Sequence, residues 1–377
     1  MKIGIVLYPT FGGSGVVATE LGLALAKNNH EVHFITYQQP VRLDLLTKNV
    51  HFHEVFVEEY PLFHFQPYEL ALSTKLVDIV LRYDLDLLHV HYAIPHAYAA
   101  YMAQKMLEAK GKDIPFVTTL HGTDITLLGS HPSYKTAVEF SINNSNAVTT
   151  VSESLRNDTL RLFNIETDIK VIYNFIDTNK YPEKNAEECN RNSLANDNEK
   201  IITHISNFRK VKRVEDVVRI YNIIQQDIPA RLILVGDGPE REKIDRLCKE
   251  LQIRDKVVFL GNSDEINKVL CYSDLFLLPS ETESFGLAAL EAMAAKTPVI
   301  STNSGGLLEV NLNGITGFLS NVGDYIDMGK KAIQIIKNDK ILNEFKQRAF
   351  EHSKKFTIKR ILPEYMAIYE EVLKPKA

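Results

Sequence analysis

Cysteine is scarce in this chain: Cys189, Cys248 and Cys271 are the only three among 377 residues. An odd number without C-x-x-C spacing argues against both a disulfide framework and a zinc site, and all three are expected to be reduced structural thiols. Long apolar runs are missing as well. The opening Met1-Lys-Ile-Gly-Ile-Val-Leu-Tyr8 meets Pro9 and the Gly12-Gly13 pair before it reaches the length of a secretion signal, and no other stretch approaches a membrane span. A cytoplasmic location without membrane association is expected. Positive charge is also in short supply, the net charge being -5 with a pI near 6.2. That balance excludes the broad basic surface a general nucleic-acid binder needs. One local cluster remains, Arg209-Lys-Val-Lys-Arg213. No short-period repeat appears. A composition of 45% hydrophobic and 24% charged residues carries no mark of disorder, and the length suffices for two domains, each with its own core.

What is present is an alternation. Short apolar runs at 2–7, 32–36, 52–57, 87–91, 116–120 and 147–151 read as strands, and helix-period stretches such as 16–27, 71–82 and 97–110 lie between them. That rhythm predicts a parallel sheet covered by helices. A polar stretch at 179–200 interrupts it, and strands at 201–205, 231–235, 257–260, 275–278 and 298–301 begin a second Rossmann-like domain. The hinge falls near 173–181. Helices at about 325–354 and 358–373 end the chain, with Pro363 a point for a kink or restart in the last one.

The chemistry-bearing residues sit where strands run into helices. Glu283-Ser-Phe-Gly-Leu-Ala-Ala-Leu-Glu291 places Glu283 in the loop after a strand and Glu291 more than a turn inside the next helix. The amides of Gly286 and Leu287 between them point at an anion such as a diphosphate. A solvated acidic pair is the alternative, but Glu291 is flanked by Leu287, Ala288, Leu290, Ala292, Met293 and Ala294, and a buried carboxylate needs a partner such as a ribose diol. Gly12-Gly-Ser-Gly15 opens the first helix. Its Gly13-Ser-Gly-Val-Val-Ala18 satisfies G-x-G-x-x-A, yet no acid ends the second strand to hold a dinucleotide ribose, since Glu31 stands at its other end. Arg209, Lys210, Lys212 and Arg213 follow the first strand of the second domain, either as a solvated turn or as a clamp for a leaving diphosphate. Gly236 and Gly238 mark a tight turn and are structural first. His89, His91 and His121 leave a metal site open as an alternative, although polar lining of a cleft fits their loop positions better.

These strings resemble the retaining, GT-B-fold glycosyltransferases of family 4, with Glu283 to Glu291 as the family's E-x7-E element and similarity along nearly the whole chain. Tyr8-Pro-Thr-Phe-Gly-Gly-Ser-Gly-Val-Val-Ala-Thr-Glu20, His89-Val-His-Tyr-Ala-Ile-Pro-His96, Thr119-Leu-His-Gly-Thr-Asp-Ile125 and Ser206-Asn-Phe-Arg-Lys-Val-Lys-Arg213 are similar, more narrowly, to the branch that acts in bacillithiol synthesis. The resemblance implies an α/β fold of two Rossmann-like domains facing across a cleft, with a C-terminal helix returning to the N-terminal domain. Residues 1–172 plus 356–377 would bind the acceptor, and 173–355 the UDP-sugar.

It further implies retaining transfer of N-acetylglucosamine from UDP-N-acetylglucosamine to the hydroxyl of L-malate, with no obligatory metal cofactor, and a homo-oligomer by analogy with relatives. Glu291 would take the ribose hydroxyls, Gly286 and Leu287 the diphosphate, Glu283 the donor sugar, and His121 would approach the anomeric carbon. Gly13, Ser14 and Asn207 join the donor-binding set. Family members present an Arg and a Lys to the diphosphate. Here Lys212 matches the Lys, Asn207 occupies the Arg position, and Arg209 is the substitute, with Lys210 beside it. Tyr92, Lys135 and Arg42 are the acceptor candidates. A family 4 transferase with another donor or acceptor, a GT-B UDP-sugar epimerase and a noncatalytic nucleotide-sugar binder remain open.

Overall fold

Every strand read from an apolar run forms, and each lies parallel to its neighbours, because the stretches between them fold as helices that return the chain to the starting edge. The computed structural model describes residues 1–10, 12–59, 62, 64–181, 191, 194–263 and 266–374. The chain divides into two α/β units, Met1–Asn174 with Ile358–Ala377, and Phe175–Thr357. Residues 182–190 and 192–193 of the polar stretch, with Cys189, lie outside the described residues.

In the first unit β1 (Lys2–Val6), β2 (Glu31–Thr36), β3 (Val50–Glu54), β4 (Leu87–His91), β5 (Phe116–Leu120), β6 (Ala147–Thr150) and β7 (Ile169–Val171) make one parallel sheet in the order β3-β2-β1-β4-β5-β6-β7. β1 therefore pairs with β2 on one side and β4 on the other, the point where the winding reverses. The helix Ile358–Val372 completes this unit and runs unbroken through Pro363. Its Tyr369 is fully buried and its hydroxyl lies 2.7 Å from His89 Nδ1, so the end of the chain is fastened to the sheet under β4.

In the second unit β8 (Lys200–Ile205), β9 (Ala230–Val235), β10 (Val257–Gly261), β11 (Leu275–Leu278), β12 (Val299–Thr302) and β13 (Gly317–Ser320) take the order β10-β9-β8-β11-β12-β13. The reversal here falls between β8 and β11. Ile202, Leu232, Leu234, Leu275 and Leu277 bury against Val217, Ile220, Tyr221 and Ile224 of the helix Val214–Asp227. Each such aliphatic side chain contributes about 1.5–3 kcal/mol on leaving water.

Several boundaries differ from the sequence reading. The stretch expected as one helix near 325–354 is two, Tyr325–Ile336 and Asp339–Ser353, because the Asn338 side chain accepts the amides of Lys340 and Ile341 and starts the second. The three-cysteine expectation also fails in part. Cys248 is free and buried, whereas Cys271 is disulfide-bonded.

Candidate active site

Open α/β sheets collect ligands outside the carboxyl ends of their strands where the winding reverses. In each unit the segments after the two strands flanking that point meet in a short side-chain contact. In the second unit these are the loops after β8 and β11. The Glu281 amide donates to the Val211 carbonyl at 2.8 Å and joins them, and Lys212 Nζ lies 2.6 Å from Glu283 Oε1. The Ser280 hydroxyl donates to the same oxygen at 2.8 Å. Both charged side chains are mostly withdrawn from water, at 22% and 13% exposure, so the pair is strong enough to hold the loop in one arrangement.

Backbone packing sets where Glu283 stands. Gly305, at φ +57°, approaches so closely that a Cβ would lie 2.1 Å from the Glu283 carbonyl oxygen, and the Gly306 amide donates to that oxygen at 2.8 Å. Gly286 caps the helix Leu287–Ala294 at φ +93°. Its carbonyl accepts the amides of Ala289 and Leu290, leaving those of Leu287 and Ala288 without an intrahelical acceptor. Glu291 is 6% exposed within that helix.

Arg209, Lys210 and Asn207 stand exposed in the loop after β8, and Arg209 makes no ion pair among the described residues. Lys212 is thus the loop cation brought onto Glu283. Gly236 and Gly238 have no room for a side chain, their Cβ positions lying 1.8 Å from the Ser206 carbonyl and 2.9 Å from that of Phe208. They allow the cationic loop to lie flat on its neighbour. His204, which sequence reading missed, is buried between the Leu277 carbonyl and the Ser206 hydroxyl, and burial lowers it to about 4.

In the first unit the start of the helix after β1 meets the loop after β4. Ser14 Oγ lies 2.6 Å from the Tyr92 hydroxyl. Gly13 begins the helix Gly13–Lys27, three residues before the expected start, and Gly15 fits against the carbonyls of Tyr8 and Thr10 at 2.6 and 2.7 Å from its Cβ position. Tyr92 holds φ +87°, a costly conformation for a tyrosine, fixed by its amide donating to Thr119 and its carbonyl accepting from Ala97. Burial raises its hydroxyl to about 12, so it is a neutral donor at ordinary pH.

Beside it, His121 Nε2 and His91 Nδ1 are 2.8 Å apart, and burial lowers His121 to about 3. Asp124 accepts amides from His121, Gly122 and Ala93, but burial outweighs them and pushes its carboxyl up to about 6. His89 spends its nitrogens on Tyr369 and Thr119. These rings are hydrogen-bonding parts of the sheet end, and the group with metal-ligand spacing among the described residues is a different one, Glu31, His33 and His51.

The acceptor candidates separate. Tyr92 is joined to Ser14, Arg42 lies 3.7 Å from Glu20, and Lys135 is exposed on the helix Pro132–Asn143 with no ion pair among the described residues. Besides His204, sequence reading missed Ser280 and the Gly305-Gly306 pair. That pair follows β12 much as Gly12-Gly13 follows β1, a signal the sequence did contain.

Residues 11–180 match the model of Glycosyltransferase Family 4, and 185–352 match that of Glycosyl transferases group 1. The chain is 48% identical over 375 residues to the N-acetyl-alpha-D-glucosaminyl L-malate synthase of Bacillus anthracis, covering 99% of this chain and 98% of that protein. An uncharacterized glycosyltransferase of Methanocaldococcus jannaschii is 33% identical, with 84% of each chain covered. Among solved structures, Anabaena HepE in complex with UDP and glucose aligns with a TM-score of 0.84 at 19% identity, over 98% of this chain and 100% of that one. The sucrose-phosphate synthase of Thermosynechococcus elongatus aligns with a TM-score of 0.82 at 19% identity, over 98% of each chain. The fold is GT-B.

Proposed function

The chain belongs to the family 4 glycosyltransferases and uses a UDP-sugar, and we propose that it transfers N-acetylglucosamine from UDP-N-acetylglucosamine to the hydroxyl of L-malate with retention, releasing UDP. The observation that carries this reading is the 48% identity to the malate synthase, sustained over 99% of the chain. In the reading, bacillithiol synthesis is the pathway served.

The geometry of each unit supports a division of labour. In the second, Glu291 takes the ribose hydroxyls and the free amides of Leu287 and Ala288 face the diphosphate. Lys212 turns from Glu283 to the phosphate oxygens as the glycosyl bond breaks, with the exposed Arg209 as a second cation. Glu283, released by that exchange, accepts from donor-sugar hydroxyls. In the first, Ser14 and Tyr92 supply neutral hydroxyls and His121 a neutral imidazole, groups able to bind and orient a hydroxy acid. A leaving phosphate oxygen takes the proton of the attacking hydroxyl. Bond making and breaking on one sugar face then retain the configuration without a protein nucleophile.

The test is acceptor-dependent UDP release. UDP-N-acetylglucosamine alone should yield little UDP, added L-malate should raise the rate by orders of magnitude, and inositol phosphate or simple sugars should not. The product should show the small H1–H2 proton coupling of an α-glycoside. Release that ignores malate would sink the acceptor assignment, and an epimer formed without acceptor would replace transfer with epimerisation.

A further inference from the structure

Away from these residues, the outer edge of the first unit's sheet gathers imidazoles. β3 is the edge strand, and its register against β2 sets His51 opposite His33 and His53 opposite Ile35. Glu31, two residues before His33 on the same strand, projects to the same face. Its Oε1 lies 3.1 Å from His33 Nε2 and 3.6 Å from His51 Nε2, and the three donor atoms all fall within 4.8 Å of one another. Donor atoms bound to a tetrahedral zinc ion at 2.0–2.1 Å stand about 3.3 Å apart, so only a small adjustment is needed. His51 supplies it, being 43% exposed, whereas His33 is fully buried and held on a strand.

We propose that Glu31, His33 and His51 form a binding site for a divalent transition ion of the zinc class, which staples edge strand β3 to β2. Two imidazoles and one carboxylate select such an ion over calcium or magnesium, and solvent beside Glu31 and His51 leaves room for a water as fourth ligand. His53 completes the design. Its Nε2 is 2.8 Å from His33 Nδ1. When His33 Nε2 binds the ion its proton sits on Nδ1 and donates to His53 Nε2, the outer hydrogen bond that orients a ligating imidazole. The charges of Lys2, Lys75 and Arg82 nearby oppose the ion and moderate its affinity.

Calorimetric titration of the full chain with zinc chloride, paired with thermal melts, tests this. The wild type should bind one ion saturably and melt higher with zinc. His51→Ala and Glu31→Gln each remove a ligand and should weaken that site at least about a hundredfold, while His53→Ala weakens it about tenfold. His51 and Glu31 are partly exposed, so both variants keep the buried His33 and the fold. Absence of a saturable one-to-one component, or wild-type affinity in His51→Ala and Glu31→Gln, overturns the site.

Discussion

Lys212 and Glu283 neutralise each other at 2.6 Å, and in the proposed mechanism a bound diphosphate competes with Glu283 for that cation. The two residues therefore respond differently to substitution. Glu283→Gln frees Lys212 for phosphate, so UDP should bind as tightly as before or more so, while turnover falls by about 100–1000-fold because the group proposed to face the donor sugar loses its charge. Lys212→Ala should weaken UDP binding and lower turnover together, leaving Glu283 with the Ser280 hydroxyl at 2.8 Å. Calorimetric UDP affinities read beside initial rates check the split. Equal losses of affinity in both variants would mean that the pair only holds the loops together. Tyr92→Phe removes a hydroxyl that lies 2.6 Å from Ser14 Oγ, and the expected signature is a raised malate KM with UDP affinity unchanged. An unmoved malate KM would confine the Ser14–Tyr92 contact to structure.

Glycines between the elements fix the loops that carry these side chains. Gly305 sits at φ +57° with its Cβ position 2.1 Å from the Glu283 carbonyl oxygen, whereas Gly314 sits at φ +75° with no atom within 4 Å. An alanine at either position meets a left-handed cost of about 1–2 kcal/mol, but only at Gly305 must it also push the Glu283 loop aside. Gly305→Ala should thus lose turnover far beyond its loss of thermal stability, and Gly314→Ala should lose stability alone. Matching kcat/KM values for the two would remove Gly305 from the positioning of Glu283. The sequence showed such loops only partly. Apolar runs flanked by helix-period stretches were enough for the parallel strands, since a strand buried on both faces has to read as a nearly continuous apolar segment. β7, with three residues, is too short to give that signal, and β13 opens on a glycine and ends on a serine, leaving only Phe318 and Leu319 apolar. β3 was placed two residues late because His51 and His53 interrupt its apolar pattern. Strand-to-helix position drew attention to Glu283 and Lys212, but their pairing depends on β8 lying beside β11, a neighbourhood set by winding across 71 residues of sequence. Arg42 illustrates the converse, since nothing local announces Glu20 as its neighbour.

Across the whole molecule, imidazoles are buried far more heavily in one unit than in the other. His33, His89, His91, His96 and His121 lie in the first unit and His204 and His352 in the second, all withdrawn from water. Burial lowers His89 and His121 to about 3, His96 and His204 to about 4, and His91 well below its ordinary 6.5. A histidine whose folded value is depressed adds stability that is complete above the unfolded value of 6.5 and is lost as pH falls from there toward the folded value. Asp124 acts in the opposite sense. Its folded value of about 6 exceeds the ordinary 3.8, so between those values the folded unit holds a proton that the unfolded chain releases, and acidification favours folding. Near pH 5 the first unit's five buried imidazoles, less Asp124, leave a net uptake of several protons on unfolding, each worth about 1.4 kcal/mol per pH unit. The second unit has two, His204 and His352, each worth about 1.4 kcal/mol per pH unit for the proton it gains on unfolding. Lowering pH from 7 to 5 should therefore destabilise the first unit much more steeply, so that peptides from β4 and β5 gain hydrogen-exchange rate, after correction for intrinsic pH dependence, ahead of those from β8 and β11. Hydrogen-exchange mass spectrometry across that range, with calorimetric melts at each pH, measures it. Equal acid sensitivity in both units would mean that the first unit's buried imidazoles gain their protons without unfolding, through local opening of the sheet.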